Sequence, residues 1–404
     1  MGEKTVLIVG AGASGMMAAI MAARNGASVT LLEQNEKPGK KICATGNGRC
    51  NFTNRMLPAD AYRGGDRKFI EKVQKEFSVQ DTLDFFEEIG VYPVERNGCY
   101  YPRSMQASSV AELLAMEAAR WGVRLKTNEK VTEIVHFKKR QKDGTCWKIV
   151  TDGWTYYAHA LILANGSMAS KISGSDGSGY ELAKSLGHSL IKPLPALTAL
   201  KCKGNVFAPC AGVRTEGKVT LLVNQKTQAW ERGELQLTDY GISGIPVFQI
   251  SRYAVRALDA GKKVSLMVDF FPEMDKQEFA DFLKKRENHR SCQSERELLT
   301  GLFPDKLVRL LCKKKDLIKA VKEFELTVTG YMDYSFAQIC SGGVDTREIC
   351  PETMESQILP SLYLCGELVD VDGMCGGYNL QWAWSSGAAA GKSAAAALDG
   401  RRQI

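Results

Sequence analysis

The chain has 404 residues, of which 44% are hydrophobic and 25% are charged, with a formal net charge of +7. This composition is typical of a globular protein with two or three domains, and it excludes a low-complexity chain. The positive charge is dispersed, so we expect no nucleic-acid partner. The sequence contains no run of about 18 apolar residues, so we expect no membrane span.

Twelve cysteines are scattered along the sequence, without a C-x-x-C pair or the spacing of zinc ligands. We therefore expect no metal site. The start of the chain lacks the basic region and cleavage site of a secretory signal. Free thiols in the reducing cytoplasm are the expectation that follows.

The first elements predict a strand, a helix and a second strand. Thr5–Val9 is a continuous apolar run, as in a central parallel strand, and residues 14–25 have helical spacing of apolar side chains. Residues 27–33 form the second strand of this βαβ unit.

Gly10, Gly12 and Gly15 form a G-x-G-x-x-G motif between that strand and helix. The first glycine allows the tight turn, the second lets a phosphate approach the backbone, and the third lets the helix close on the strand. The helix start offers N–H groups and partial positive charge to a pyrophosphate. Glu33 ends the second strand, where a carboxylate can bind both ribose hydroxyls of an adenosine.

Residues 38–54 are dense in Gly, Lys, Arg and small polar residues. This composition suits an irregular segment that wraps an anion and the polar edge of a ring.

The middle of the chain predicts further elements and two inserted regions. Helices are expected at 69–89, with Phe77, Leu83, Phe85 and Phe86 as core candidates, and at 108–121. We expect a strand followed by a β-meander within 123–152, and a buried strand at 160–164. The predicted division is a dinucleotide-binding domain of 1–192 plus 325–404, a β-rich domain of 193–273 and a small helical domain of 274–324.

Near the C-terminus, a last strand at 361–365 precedes a second glycine turn. Gly376 and Gly377 open a helix of small residues that begins at Tyr378. Its N–H dipoles would point at the N1–C2=O edge of a flavin, where negative charge gathers on reduction. Two glycine-opened helix starts therefore predict tightly bound FAD. Because only one G-x-G-x-x-G motif is present, NAD(P)H is expected to dock transiently.

The segments 43–54, 237–246 and 365–383 resemble the YhiN-like flavoproteins, also called BaiN-like or the aminoacetone oxidase family. The resemblance spans nearly the whole chain. It implies an α/β fold with a discontinuous Rossmann-like FAD-binding domain, an inserted β-barrel-like domain and a small helical domain. Asp239 stands where the family often has His, and Asn165 where Thr is commoner.

The family pattern also implies roles for individual residues. Glu33 would hold the ribose, Val131 the adenine through its backbone, and Glu367 would approach the ribityl chain. Asn379 and Leu380 would meet the pyrimidine edge of the flavin. The full set of expected cofactor-binding residues is Gly10, Gly12, Ala13, Ser14, Gly15, Glu33, Gln34, Lys40, Thr45, Gly46, Gly48, Arg49, Cys50, Asn51, Val131, Ala164, Gly166, Gly366, Glu367, Gly377, Asn379 and Leu380.

The resemblance implies an oxidoreductase with a small-molecule substrate. We expect hydride transfer from NAD(P)H, through flavin N5, to a conjugated C=C such as that of a 3-oxo steroid of the bile-acid type. The alternatives are an amine oxidase that acts on aminoacetone with oxygen, a flavoprotein that modifies RNA, and a non-catalytic flavin carrier.

No acid or base is assigned from the sequence. Arg49 and Asn51 are the candidates on the flavin side, and Arg49 would either stabilise an oxyanion or have a structural role toward a phosphate or in the loop. Packing roles are expected for Cys50 and Cys375, and no catalytic role for His136, His159, His188 and His289. The oligomeric state is not predicted.

Overall fold

The computed structural model describes residues 4–58, 60–170, 174–290, 294–398 and 400. The chain divides into two compact units, one of Met1–Pro193 with Ile339–Ile404 and one of Leu194–Gln338. In these described ranges, no helix is both long enough and apolar enough to span a membrane. Cys292, one of the expected free thiols, lies outside the described residues.

Among the described residues, the first unit begins with twelve strands and six helices, and the last of these strands crosses the boundary that follows Pro193. The strands are β1 Thr5–Val9, β2 Ser28–Leu32, β3 Thr53–Asn54, β4 Tyr62–Arg63, β5 Pro93–Arg96, β6 Cys99–Pro102, β7 Arg124–Lys126, β8 Val131–His136, β9 Trp147–Thr151, β10 Thr155–Ala158, β11 Ala160–Leu163 and β12 Leu190–Ala196. The helices are α1 Ala13–Arg24, α2 Lys40–Ala44, α3 Arg67–Glu76, α4 Val79–Glu88, α5 Ala107–Arg120 and α6 Ser178–Ser185.

The second unit combines strands and helices, after which the chain returns to the first unit. The second unit contains β13 Leu200–Cys202, β14 Arg214–Val223, β15 Lys226–Leu237, β16 Gly241–Ser243, α7 Ile245–Asp259, β17 Val264–Asp269, α8 Lys276–Arg290, α9 Glu295–Leu299, α10 Asp305–Leu311, α11 Leu317–Lys322 and β18 Phe324–Tyr331. The returning chain forms β19 Ile339–Val344, β20 Leu362–Leu364, β21 Asp372–Gly373 and α12 Tyr378–Leu398.

A five-stranded parallel sheet is the centre of the first unit, with strand order β20-β11-β1-β2-β7. Ile8 of β1 is fully buried, between Ile162 of β11 and Leu31 of β2. Strands covered on both faces are continuous apolar runs, which is why their positions were predictable to within one or two residues. The predicted β-meander is present as the sheet β10-β9-β8, but β10 lies beyond the expected range of 123–152.

The helix expected at 69–89 is wrong as a single element, because the structure has two helices, α3 and α4. The break lies at Phe77 and Ser78, whose backbones are extended. Ser78 caps α4: its hydroxyl accepts from the Asp81 N–H, and the Asp81 carboxylate accepts from the Ser78 N–H at 2.7 Å. This capping box stabilises a helix start in the middle of an otherwise periodic segment.

The core candidates of this segment are largely confirmed. Phe77, Phe85 and Phe86 are buried, and Leu83 is partly buried against the same core.

The second unit contains a closed barrel with strand order β13-β16-β15-β14-β17-β18. The predicted barrel and helical region are both present, whereas α7 was not predicted. Strand β18 lies on the C-terminal side of the boundary expected at residue 324, and alternate residues of it are buried in the core of this unit, namely Phe324, Leu326 and Val328. The division into three domains remains a prediction.

Candidate functional site

The turn between β1 and α1 requires glycine at two positions. Gly10 has φ of +99°, and a Cβ there would lie 2.6 Å from the carbonyl oxygen of Ala164, at the end of β11. A Cβ on Gly15 would lie 1.8 Å from the carbonyl oxygen of Gly10. Gly12 has an unstrained φ of −79°, and no atom lies within 4 Å of its Cβ position. The turn is therefore closed behind Gly10 and Gly15 and open in front of Gly12.

The N-terminus of α1 is available to an anion. Gly12 is its N-cap, no side chain caps it, and the first turn, which contains Ala13 and Ser14, has no acidic residue. The first N–H groups of a helix have no intrahelical acceptor, and they carry partial positive charge. This open, uncapped helix start fits a pyrophosphate.

Glu33 lies buried directly after β2, beside the glycine turn. Its Oε2 accepts from the Ala11 N–H at 2.8 Å, and its Oε1 accepts from the backbone and side-chain N–H groups of Asn35. A carboxylate oxygen has two lone pairs, so Oε2 keeps one for a further donor such as a ribose hydroxyl. The side-chain amide of the neighbouring Gln34 donates to the Gly174 carbonyl at 2.6 Å, which holds Gly174 near the end of β2. Val131, expected at the adenine, starts β8 and is buried.

The segment from α2 to Cys50 forms an irregular loop with left-handed backbone. Gly46, Asn47, Gly48 and Cys50 have φ of 56°, 54°, 80° and 58°. The Cys50 N–H donates to the Thr45 carbonyl at 3.1 Å, which closes the loop. Gly46, Gly48 and Arg49 are exposed and so remain accessible to a ligand.

Cys50 itself is fully buried beneath this loop. Burial raises the pKa of its thiol to about 12, so the thiol is neutral at physiological pH. This agrees with the packing role expected for Cys50.

Glu367 is the centre of a polar cluster that joins three segments. Its Oε2 accepts from Lys41 Nζ and from Ser167 Oγ, each at 2.7 Å. Lys41 and Ser167 were not predicted, whereas the predicted Lys40 is exposed. A signal was present for Ser167: β11 and β20 are parallel neighbours, so the residues after their carboxyl ends meet at one edge of the sheet. Gly166, directly before Ser167, has a left-handed φ of 73°.

The second glycine turn is in contact with the loop around residue 50. Gly377 has φ of 90°, and a Cβ there would lie 2.7 Å from the side-chain amide of Asn51 and from the Thr53 carbonyl oxygen. When the Asn51 side-chain amide is oriented so that both its oxygen and its nitrogen have hydrogen-bond partners, the oxygen accepts from the Gly377 N–H at 3.2 Å and the nitrogen donates to the Thr53 carbonyl at 2.9 Å. The segment around residue 50 and the start of α12, which are far apart in the sequence, are therefore in direct contact.

The Asn379 side chain is used within the protein. Its Oδ1 accepts from the Gly373 N–H at 2.7 Å, and its Nδ2 donates to the carbonyls of Gly373 and Met374. Asn379 and Leu380 are thus left with their backbone N–H groups, in the first turn of α12, as possible donors to a ring edge.

Helix α12 connects the end of β20 to the first glycine motif. Trp382 Nε1 donates to the Gly366 carbonyl at 3.0 Å, and the Gly366 N–H donates to Ser386 Oγ at 3.0 Å. A Cβ on Gly366 would lie 2.3 Å from Ser14 Oγ of α1, and one on Gly387 would lie 2.4 Å from the Ser14 carbonyl oxygen. Helix α12 and the end of β20 are therefore packed against α1.

The four histidines do not join these residues. His188 is buried between Glu348 (3.0 Å) and Ser356 (2.9 Å), and His136 packs on Trp147 with ring centroids 4.4 Å apart. His159 bonds Thr5, and His289 is exposed on α8. Among the described residues, no cluster of three or more His, Cys, Asp or Glu is arranged to hold a metal ion.

These residues fit a flavin dinucleotide by the geometry of the chain itself. An uncapped helix start with open space before Gly12 suits the pyrophosphate, and the remaining lone pair of Glu33 suits a ribose hydroxyl. The exposed glycine loop and the start of α12 together offer backbone donors to a ring.

Comparison with known proteins gives a consistent result. The family model described as "HI0933-like protein Rossmann domain" matches residues 4–393. A protein of Clostridium scindens named 3-dehydro-bile acid delta(4,6)-reductase is 47% identical over 411 residues, which covers 96% of this chain and 98% of that protein. An Escherichia coli protein named ribosomal RNA dihydrouridine synthase is 28% identical over 406 residues, with 94% and 95% covered.

Among solved structures, the open conformation of a flavocytochrome c3 fumarate reductase matches with a TM-score of 0.50 at 16% identity. The match covers 98% of this chain and 79% of that one. At this identity the match shows a shared fold.

Proposed function

The chain belongs to the HI0933-like Rossmann-domain family, and we propose that it is an FAD-dependent oxidoreductase that reduces a C=C bond conjugated to a carbonyl. The observation that carries this proposal is the 47% identity, over 96% of the chain, to a relative named as a bile-acid reductase. The substrate class we propose is accordingly a small 3-oxo steroid of the bile-acid type.

The residues that would hold FAD come from both ends of the chain. The start of α1 would bind the pyrophosphate, Glu33 the adenosine ribose, and Glu367 the ribityl hydroxyls. Bound FAD supplies a carrier that takes up a hydride at N5 and releases it to an electron-poor carbon. We propose NAD(P)H as the transient hydride source, since one dinucleotide motif is present in the sequence.

The chain's own contribution is orientation and electrostatics. The N-terminus of α12 has no acidic residue in its first turn, and it would stabilise negative charge on the pyrimidine edge of a bound flavin. Asn51 fixes that helix start through Gly377, so its amide is a structural element of the site rather than an acid or base. Arg49 is exposed in the glycine loop and would stabilise the developing enolate oxygen of the substrate.

The second candidate function rests on the relatives named ribosomal RNA dihydrouridine synthase, which are 28% identical over 94% of the chain. The uracil C5=C6 bond is also conjugated to a carbonyl, so both activities need the same chemistry. We favour the small-molecule substrate because the identity to the bile-acid relative is higher and because the positive charge is dispersed. We also propose that the enzyme acts in the cytoplasm, where buried free thiols such as Cys50 and Cys365 remain reduced.

The test is an anaerobic stopped-flow experiment on the purified protein with its flavin. NADH or NADPH should bleach the flavin absorbance, and a 3-oxo-4,6-diene bile acid should restore it. Restoration only by uridine-containing RNA would instead support the RNA-modifying function. Bleaching by aminoacetone, but by neither nicotinamide, would support the amine oxidase.

A further inference from the structure

Strand β6 places one tyrosine on the side of the glycine loop. β6 pairs antiparallel with β3, with Tyr100 opposite Thr53 and Cys99 opposite Asn54. Successive side chains of a strand point to opposite faces of the sheet. Cys99 and Tyr101 therefore share one face of β6, and Tyr100 lies on the other.

The shared face meets both segments that are proposed to hold the flavin. A Cβ on Gly46 would lie 3.8 Å from Tyr101 Cε1, so the phenol ring is in van der Waals range of the loop backbone. Cys99 Sγ lies 3.8 Å from the carbonyl oxygen of Gly376, directly before α12. Cys99 also interacts electrostatically with Tyr101, so the phenol lies near Cys99 on this face of β6.

The charged and titratable surroundings favour a neutral phenol with a proton to give. Partial burial raises the pKa of Tyr101, as does the nearby Cys99, while the positive charges of Arg49 and Arg96 lower it. The phenol is therefore protonated near pH 7, and the same arginines stabilise the phenolate that remains after the proton has left.

Resting on the proposed function, we propose that Tyr101 is the proton donor that completes reduction of the conjugated double bond. Saturation of one C=C requires a hydride and a proton. The β carbon gains the hydride that originates from NAD(P)H, and the α carbon gains the proton of the Tyr101 hydroxyl. The phenolate then recovers a proton from water, so the net change is one NAD(P)H and one proton consumed for each bond reduced.

The experiment compares Tyr101→Phe with Tyr100→Phe, a matched loss of one hydroxyl on the opposite face of β6. Each holoenzyme is reduced anaerobically with NAD(P)H and then mixed with a 3-oxo-4,6-diene bile acid. For Tyr101→Phe we expect an unchanged rate of flavin bleaching, and reoxidation by the steroid slowed by about 10²- to 10⁴-fold, the usual contribution of a general acid. Tyr100→Phe should match the wild type in both steps.

Two readouts separate proton donation from a general disturbance of the site. The FAD dissociation constant, from flavin fluorescence, and the steroid-induced shift of the oxidised flavin spectrum should be the same in both variants and the wild type. In the wild type, reoxidation should slow as the pH rises through the Tyr101 pKa, above the usual value near 10. This profile tests the proposal even if Tyr101→Phe loses its flavin.

Reoxidation of Tyr101→Phe at the wild-type rate, or a wild-type rate that is flat up to high pH, would overturn the role of Tyr101 alone. Failure of the wild type to be reoxidised by any conjugated carbonyl compound would overturn the proposed function and this role with it.

Discussion

Gln381 should be the residue whose loss separates the two flavin-side segments. It is fully buried in the first turn of α12. Its Oε1 accepts from Thr53 Oγ1 at 2.5 Å, and its Nε2 donates to Thr82 Oγ1 at 2.9 Å and to Ser385 Oγ at 3.0 Å. The substitution Gln381→Leu keeps a side chain of similar size but removes these three bonds, together with two longer ones of 3.4 Å from Nε2 to the carbonyls of Phe77 and Ser78.

The expected loss of stability follows from what remains unpaired. The Thr53 hydroxyl loses its acceptor in the core, which costs about 1–3 kcal/mol, and the two other lost bonds cost about 1 kcal/mol each. Thr82 and Ser385 still donate to backbone carbonyls, which limits their share. With some gain from the apolar leucine, a net loss of about 3 kcal/mol corresponds to a fall in Tm of roughly 6–12 °C for a unit of this size.

The assay is thermal unfolding of the apoprotein, followed by fluorescence titration with FAD. The control is Gln80→Leu, which removes an exposed glutamine on α4 whose amide donates to Asp84. It should change the Tm by little, because exposed polar contacts contribute about 0.5 kcal/mol or less. FAD affinity should fall in Gln381→Leu alone, since Thr53 also borders Gly377. Equal Tm values and equal affinities for the two variants would refute this reasoning.

Three other outcomes are expected. Gly15→Ala should prevent stable folding, because its methyl group would lie 1.8 Å from the Gly10 carbonyl oxygen. Gly12→Ala should fold normally and bind FAD more weakly. A folded Gly15→Ala together with an unfolded Gly12→Ala, measured by circular dichroism and FAD titration, would contradict the described turn. Burial lowers the pKa of His188 below 6.5, so its contribution to stability is complete above that pH and is lost as the pH falls toward the folded-state value; the Tm difference between pH 7.5 and 5.5 should shrink in His188→Gln. Iodoacetamide at pH 7.5 should label the exposed Cys43 of the native protein and spare Cys50, as peptide mass spectrometry can show.

The parallel sheet and its first glycine turn were predictable because their physical requirements are local. A buried central strand needs an apolar run, and the turn at Gly10 needs a residue that tolerates φ of +99°. The start of α4 was predictable in principle, since Ser78 and Asp81 have the spacing of a capping box. Helical periodicity across the break concealed it.

Other features depend on contacts between distant segments, which periodicity does not contain. The choice between Lys40 and Lys41 depends on which face of α2 meets Glu367. The side chain of Asn379 is engaged with Gly373, a contact set by the shape of the turn between them. The sequence around Tyr101 contains no motif that predicts its place in the site, because that place depends on the pairing of β6 with β3.

The central claim is that one cofactor is held by two helix starts from opposite ends of the chain. It is tested most directly by isothermal titration of the apoprotein with FAD, for the wild type, Gly12→Ala and Gly377→Ala. A Cβ on Gly377 would overlap Asn51 and the Thr53 backbone, and one on Gly12 would enter the open space before α1. Stoichiometric binding of FAD by the wild type, weakened by both substitutions, is the predicted result. No binding by the wild type, or wild-type affinity in both variants, would contradict the account.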